Sequence, residues 1–230
     1  NGASAFMAQP LRIDLVVDIT CPWSLLGLLA IINAAAGLRD EVDPQLYIQP
    51  FELNPELGPE GANAIDHART KYNAELQQIE AGRQQTKSLA ARYNFAINQD
   101  QNTRIWNTRD AHRLLYWAHV DGKALPLLLA FYTLYFTEQR SLADHAVLLH
   151  GVKIAGFDVE RARAVLSTGQ YDADVHAKEQ AAFAQGIIRA PTAILQEYWR
   201  VEGAQPPQIY GGMMRDIVRG VLKREQGSVQ

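Results

Sequence analysis

Cys21 is the single cysteine of the 230-residue chain, and it stands in the run Cys21-Pro22-Trp23-Ser24. A thiol attacks or is exchanged through its thiolate, so its surroundings decide whether it is reactive. Before it, the segment from Leu11 to Asp18 is apolar and rich in β-branched residues; after Pro22 the pattern turns helical. This predicts a strand leading through a short turn into a helix, with the thiol at the helix N-terminus. Unpaired N–H groups and the positive end of the macrodipole favour a thiolate there. Pro22 suits the first helical turn, where no intrahelical N–H bond is required. The expectation is a Cys21 pKa below the ordinary value of about 8.5. A lone cysteine is more often a small buried hydrophobe; the position and the Pro-Trp neighbours weigh here for a functional thiol. Ser24 reads either as a routine helix residue or as a hydroxyl donor to the Cys21 thiolate.

Other chemistries find less support. His112 and His119 lie seven apart and His145 and His150 five apart, and neither spacing makes a compact helical metal pair. All six histidines are read as structural or surface residues, and no metal site is expected. Tyr116, Trp117, Tyr132 and Tyr135 read as core or pocket wall. There is no Gly-rich phosphate loop and no Gly-x-Ser-x-Gly elbow, and a Cys-His-Asn hydrolase built on Cys21 has no local support.

Cys-Pro-Trp-Ser after a strand resembles the active-site motif of the DsbA-like thioredoxin-fold oxidoreductases, most closely the FrnE-like branch. The likeness continues through Pro50-Phe-Glu-Leu-Asn-Pro55, Asn107-Thr108, the run Ala111-His-Arg-Leu-Leu-Tyr-Trp-Ala118, and Gly186 to Thr192 with its Ala190-Pro191. It covers the chain from about Leu11 to the C-terminal helix. The resemblance implies an α/β, thioredoxin-like fold with an inserted all-helical domain. It implies Cys21, Ser24 and Pro191 as catalytic positions, and Pro22, Trp23, Asn54, Arg189 and Ala190 as substrate-binding ones. It also implies a cis peptide before Pro191, with the proline in contact with Cys21 or Trp23. At Arg189 the family more often has glycine. The cation there is read either as a neighbour of the thiol that favours the thiolate or binds a carboxylate of glutathione, or as a surface residue pointing away.

The departure from the family lies in the chemistry. Its motif usually ends in a second cysteine, where this chain has Ser24, so dithiol exchange inside the motif is closed. The reading is a monothiol thiol-disulfide oxidoreductase whose mixed disulfide is resolved by an external thiol, with glutathione the expected cosubstrate and no permanently bound cofactor. Its partners would be a small thiol or disulfide, or a protein disulfide, and a homodimer is left open. Two alternatives stand beside it. The kappa-type glutathione transferases and 2-hydroxychromene-2-carboxylate isomerases resemble this architecture and carry serine where Cys21 stands. A non-catalytic relative would use the cleft only to bind.

Composition agrees with an ordinary globular protein: 47% of residues are hydrophobic, and 22 basic against 25 acidic residues give a net charge of −3. Nothing there points to nucleic acid or an anionic membrane. One cysteine excludes an internal disulfide framework. No apolar run approaches a membrane span, and Asn1 to Pro10 lacks the regions of a signal peptide. Cytoplasmic is the expected location, with Met7 a candidate initiator.

The elements that must position Cys21 follow from periodicity. Strand 11–18 and helix 22–36, closed by Gly37 as a C′ residue, lead to a second strand over 45–51, giving a parallel β-α-β unit. From 58 to 169 the pattern is helical with no convincing strand. One amphipathic helix carries Ile65, Ala68, Tyr72, Leu76 and Ile79, and 88–93 continues or follows it. Further helices are expected at 104–120, 127–136, 144–155 and 158–166. A helix at 171–185, short strands at 192–195 and 199–201 pairing as a hairpin, and a helix after Pro206-Pro207 complete the chain. The expected division is a discontinuous thioredoxin-like domain, 11–57 with 170–226, around a helical insertion, 58–169.

Overall fold

The computed structural model describes residues 7–225; residues 1–6 and 226–230, the last residue of the expected domain 170–226 among them, lie outside that range. β1 (Gln9–Val17) is the hub of the sheet. It pairs in parallel with β2 (Val42–Pro50), Gln9 opposite Val42 through Val17 opposite Pro50. On its other edge it pairs antiparallel with β5 (Thr192–Leu195), which pairs antiparallel with β6 (Trp199–Glu202). The order is β2-β1-β5-β6. Every residue of β1 from Ile13 onward is buried. The strand alternates over Leu11-Arg12-Ile13-Asp14-Leu15, where Arg12 pairs with Asp14 at 2.8 Å, and is continuously apolar only at Leu15-Val16-Val17, where both faces are covered.

α1 (Pro22–Ala36) connects β1 to β2 and is apolar on most of its surface, because it is packed from several sides. Gly37 ends it as expected, but as the C-cap rather than the C′ residue and with a right-handed φ of −75°. β2 begins three residues before the expected 45, since the ladder to β1 extends to Val42.

The stretch between β2 and β5 holds most of the helices. The single amphipathic helix expected near residue 65 is two: α2 (Ala64–Tyr72) and α3 (Leu76–Ala91). Asn73 takes a left-handed φ of 51° and stops α2; the Glu75 and Gln78 capping box restarts the chain as α3. α3 runs on through 88–91, the segment that either continued or followed. The expected helix over 104–120 starts later, as α4 (Arg109–Asp121). Its supposed first turn instead forms β4 (Arg104–Ile105), paired antiparallel with β3 (Ala62–Asn63). The insertion is therefore not wholly helical, and these two-residue strands are too short to leave a periodic trace.

α5 (Leu125–Tyr132) ends in a π-turn over Thr133–Thr137. α6 (His145–Ile154) and α7 (Val159–Ser167) start on the side-chain caps of Asp144 and Asp158. α8 (Asp172–Ala184) precedes β5, and α9 (Pro207–Val218) packs back on α1. One hydrophobic cluster runs from Leu11, Leu15 and Leu28 to Leu114, Phe131 and Leu148, so sheet and inserted helices share a core. Each fully buried Leu or Phe contributes about 1.5–3 kcal/mol. Among the described residues no helix is long and apolar enough to cross a membrane.

Candidate functional site

Cys21 is itself the N-cap of α1. Its backbone is extended (φ −92°, ψ 112°), and its Sγ accepts the Ser24 N–H at 3.4 Å. The sulfur occupies the place where a cap oxygen usually sits, which fixes the side chain against the first turn. On its other side the thiol donates to the Ala190 carbonyl at 3.7 Å. The Ala190–Pro191 peptide is cis. Pro191 packs on α1 at Gly27: a Cβ there would lie 2.9 Å from Pro191 Cγ and 3.4 Å from the Tyr210 hydroxyl. The glycine is what lets the proline loop lie flat on the helix and bring Ala190 to the sulfur.

The thiol is 5% exposed. Burial pushes the Cys21 thiol up; the Ser24 hydroxyl and N–H pull it down without cancelling that, and the Asp18 charge adds to the rise. This corrects the expectation of a lowered pKa. A helix N-terminus favours the thiolate, but a site closed to water and next to a carboxylate disfavours it more. Ser24 is fully buried, and its Oγ also accepts the Asp18 N–H at 3.3 Å, tying the motif to the end of β1.

Below the motif lies a polar network that sequence reasoning did not assign. Asp18 is 1% exposed and accepts from Ile19 N (2.8 Å), Leu53 N (2.8 Å), the Thr108 hydroxyl (2.8 Å) and His112 Nε2 (3.1 Å). Four hydrogen bonds converge on this one carboxylate, which meets His112 of α4 across the core. Burial alone would lower His112, but the Asp18 hydrogen bond and charge outweigh it and hold the imidazole above its ordinary value. Reading His112 as a structural residue missed its place one carboxylate away from the thiol. The available signal was Thr108 and His112, four apart and so on one helical face, inside stretches that resemble the family. The Tyr132 hydroxyl donates to the Asp18 carbonyl at 3.3 Å.

Farther out the network reaches a carboxyl pair. Glu179 of α8 is pushed up to about 8, first by burial and then by its hydrogen bond to Glu52. Arg109 bridges them, 2.8 Å from Glu52 and 3.4 Å from Glu179, and continues to Asp172 at 2.8 Å. His112 Nδ1 and Glu179 Oε1 are both buried without a partner among the described residues.

The other expected site residues divide. Pro22 opens α1, and Trp23 is 38% exposed beside the thiol. Asn54 turns away to α2, where its Oδ1 accepts from Lys71 Nζ (2.8 Å) and pairs with His67 (3.0 Å). The Arg189 guanidinium, largely exposed, lies 3.9 Å from Glu202 and is not among the charges acting on Cys21. Of its two readings, the surface arginine describes this geometry.

A helix-capping thiol beside a cis-proline loop at the carboxyl end of a β-α-β strand is the arrangement of a thioredoxin-type site. The family description "DSBA-like thioredoxin domain" matches residues 12–211, and the chain belongs to that family. A search of curated protein sequences finds no match. Among solved structures, a probable DsbA oxidoreductase from Streptomyces coelicolor is similar at TM-score 0.84 and 28% identity, over 94% of this chain and 93% of that one. The cytosolic disulfide reductase DsbM from Pseudomonas aeruginosa is similar at 0.61 and 13%, over 90% and 98%. A 2-hydroxychromene-2-carboxylate isomerase is similar at 0.65 and 12%, over 92% and 100%. The last two likenesses speak for the fold alone.

Proposed function

We propose that this chain is a monothiol thiol-disulfide oxidoreductase of the DsbA-like family, in its FrnE-like branch, with Cys21 as the exchanging thiol. The observation that carries the reading is the Cys21 sulfur held between the Ser24 N–H and the Ala190 carbonyl. The exposed Trp23 beside it marks the proposed side of approach for a partner sulfur. Cys21 loses its proton to solvent and its thiolate attacks a substrate disulfide. One new S–S bond forms, the substrate S–S bond breaks, and the departing half leaves as a thiolate. A second, external thiol then attacks the mixed disulfide, takes the substrate half as a new disulfide and returns Cys21 as thiol. Glutathione is the proposed external thiol.

Burial raises the Cys21 thiol, so less thiolate is present at neutral pH although each thiolate is the stronger nucleophile, and exchange should quicken as pH rises. The thiol and disulfide supplied set the direction of the cycle, because Cys21 is regenerated.

The test is glutathione-dependent reduction of a small disulfide by wild type, Cys21→Ala and Ser24→Cys. Wild type should turn over and Cys21→Ala should not. Ser24→Cys should close an internal disulfide and gain activity toward protein disulfides. Equal rates for wild type and Cys21→Ala would overturn the proposal. Turnover of aromatic electrophiles with glutathione, without disulfide exchange, would replace it with the transferase or isomerase reading.

A further inference from the structure

A cleft of about 400 Å³ opens beside the motif, and its walls come from three elements. Trp23 and Leu26 stand on α1, Leu89 and Tyr93 at the end of α3, and Pro206 at the start of α9. The volume falls in the range of small-molecule sites, which are apolar with a few placed polar groups. Arg92 is the one ionisable side chain besides the Tyr93 phenol in this lining. It is exposed, no carboxylate lines the cleft, and among the described residues Arg92 makes no ion pair. Eight of the other arginines sit in ion pairs among the described residues, whereas the Arg92 guanidinium faces an apolar hollow with no carboxylate in its lining. Guanidinium groups bind carboxylates in a planar, two-point manner, and an apolar wall strengthens the pairing by excluding water.

We infer that this cleft receives the non-reacting body of the substrate and that Arg92 selects disulfides or thiols whose apolar or aromatic body carries a carboxylate. The inference rests on Cys21 being the exchanging thiol. Trp23, two residues along α1 from Cys21, joins the two places: a ligand sulfur at Cys21 sets its body against the indole and its carboxylate toward Arg92. Selection by Arg92 makes the cleft a specificity device separate from the exchange itself, since the guanidinium takes no part in bond making.

Two chromogenic probes separate charge from body. Both 5,5′-dithiobis(2-nitrobenzoate) and 4,4′-dithiodipyridine are aryl disulfides, and only the first carries carboxylates. Each reacts with the Cys21 thiolate to give a mixed disulfide and one aryl thiolate, which is read by absorbance. Second-order rate constants are compared for wild type, Arg92→Gln, Arg92→Lys and the remote surface control Arg163→Gln. Arg92→Gln should slow the carboxylate probe about tenfold and leave the dipyridine probe within about twofold. Arg92→Lys should recover part of the loss, added salt should shrink it, and Arg163→Gln should change neither rate. If Arg92→Gln slows both probes alike, slows neither, or is matched by Arg163→Gln, Arg92 does not select and the inference fails with Cys21 still reactive. If folded wild type reacts with neither probe, the exchange reading falls and the inference falls with it. Thermal melting of each variant confirms that the compared proteins are folded.

Discussion

Gly27 lies in the middle of α1, where glycine normally weakens a helix, and replacing it tests the packing that brings the proline loop to the thiol. An alanine there gains about 1 kcal/mol of helix propensity. Its Cβ would meet Pro191 Cγ at 2.9 Å and Cβ at 3.3 Å, inside normal carbon contact, with the Tyr210 hydroxyl at 3.4 Å behind. Neither the proline ring nor a fully buried tyrosine is a flexible side-chain end, so the strain falls on the loop or the helix. Overpacking of this kind costs about 1–3 kcal/mol. Gly82 of α3 is the internal control, because a Cβ there meets nothing within 4 Å. Gly82→Ala should therefore stabilise by about 1 kcal/mol. Gly27→Ala should stand about 1–3 kcal/mol below it, read as the difference in urea midpoints at constant slope. The same variant should change the alkylation rate of Cys21, because the displaced loop moves the Ala190 carbonyl away from Sγ. Equal stabilisation by the two alanines, with Cys21 reactivity unchanged, would refute the claim that Pro191 is seated on Gly27.

Other substitutions act through the network under the motif. Asp18→Asn removes a charge that adds to the rise of the Cys21 thiol, so the pH midpoint for Cys21 alkylation should fall. The same change leaves His112 without its counter-ion and should destabilise by about 3–5 kcal/mol, read by chemical denaturation. Glu179 is held near 8 in the folded protein and titrates from an ordinary value of 4.5 when unfolded. Its contribution to stability is thus complete below pH 4.5 and is lost as pH rises through 8. The wild-type urea midpoint should fall across that window, while Glu179→Gln, which keeps a neutral hydrogen-bonding group, should flatten the decline and be the more stable protein at pH 9. Parallel profiles for the two proteins would show that Glu179 is not carrying the buried proton.

The parts of this molecule that were legible in the sequence are those with strong local signals. The apolar residues before Cys21, Pro22 at the first helical position and the helix starts at 144 and 158 each follow from their own neighbourhood. Asn73 and Arg104–Ile105 were missed because a single left-handed residue and a two-residue ladder leave no period to read. The network at the site was hidden for a different reason. Asp18, Glu52, Arg109, His112 and Glu179 come from the turn after β1, the loop after β2, α4 and α8, and only the fold gathers them. The raised Cys21 pKa belongs to the same class. A helix N-terminus can be inferred from four residues, whereas burial and the Asp18 charge depend on everything packed around them.

Intact-mass measurement after oxidised glutathione tests the central claim, that Cys21 is an exchanging thiol within the folded protein. Folded wild type should take up one glutathione on Cys21, faster as pH is raised from 7 toward 9.5 because burial holds the thiol protonated near neutrality. The adduct should persist until reduced glutathione is added, since Ser24 offers no second thiol, and then disappear. A protein that stays unmodified while folded over that whole pH range, yet reacts readily once denatured, would contradict the account and make Cys21 a buried structural residue.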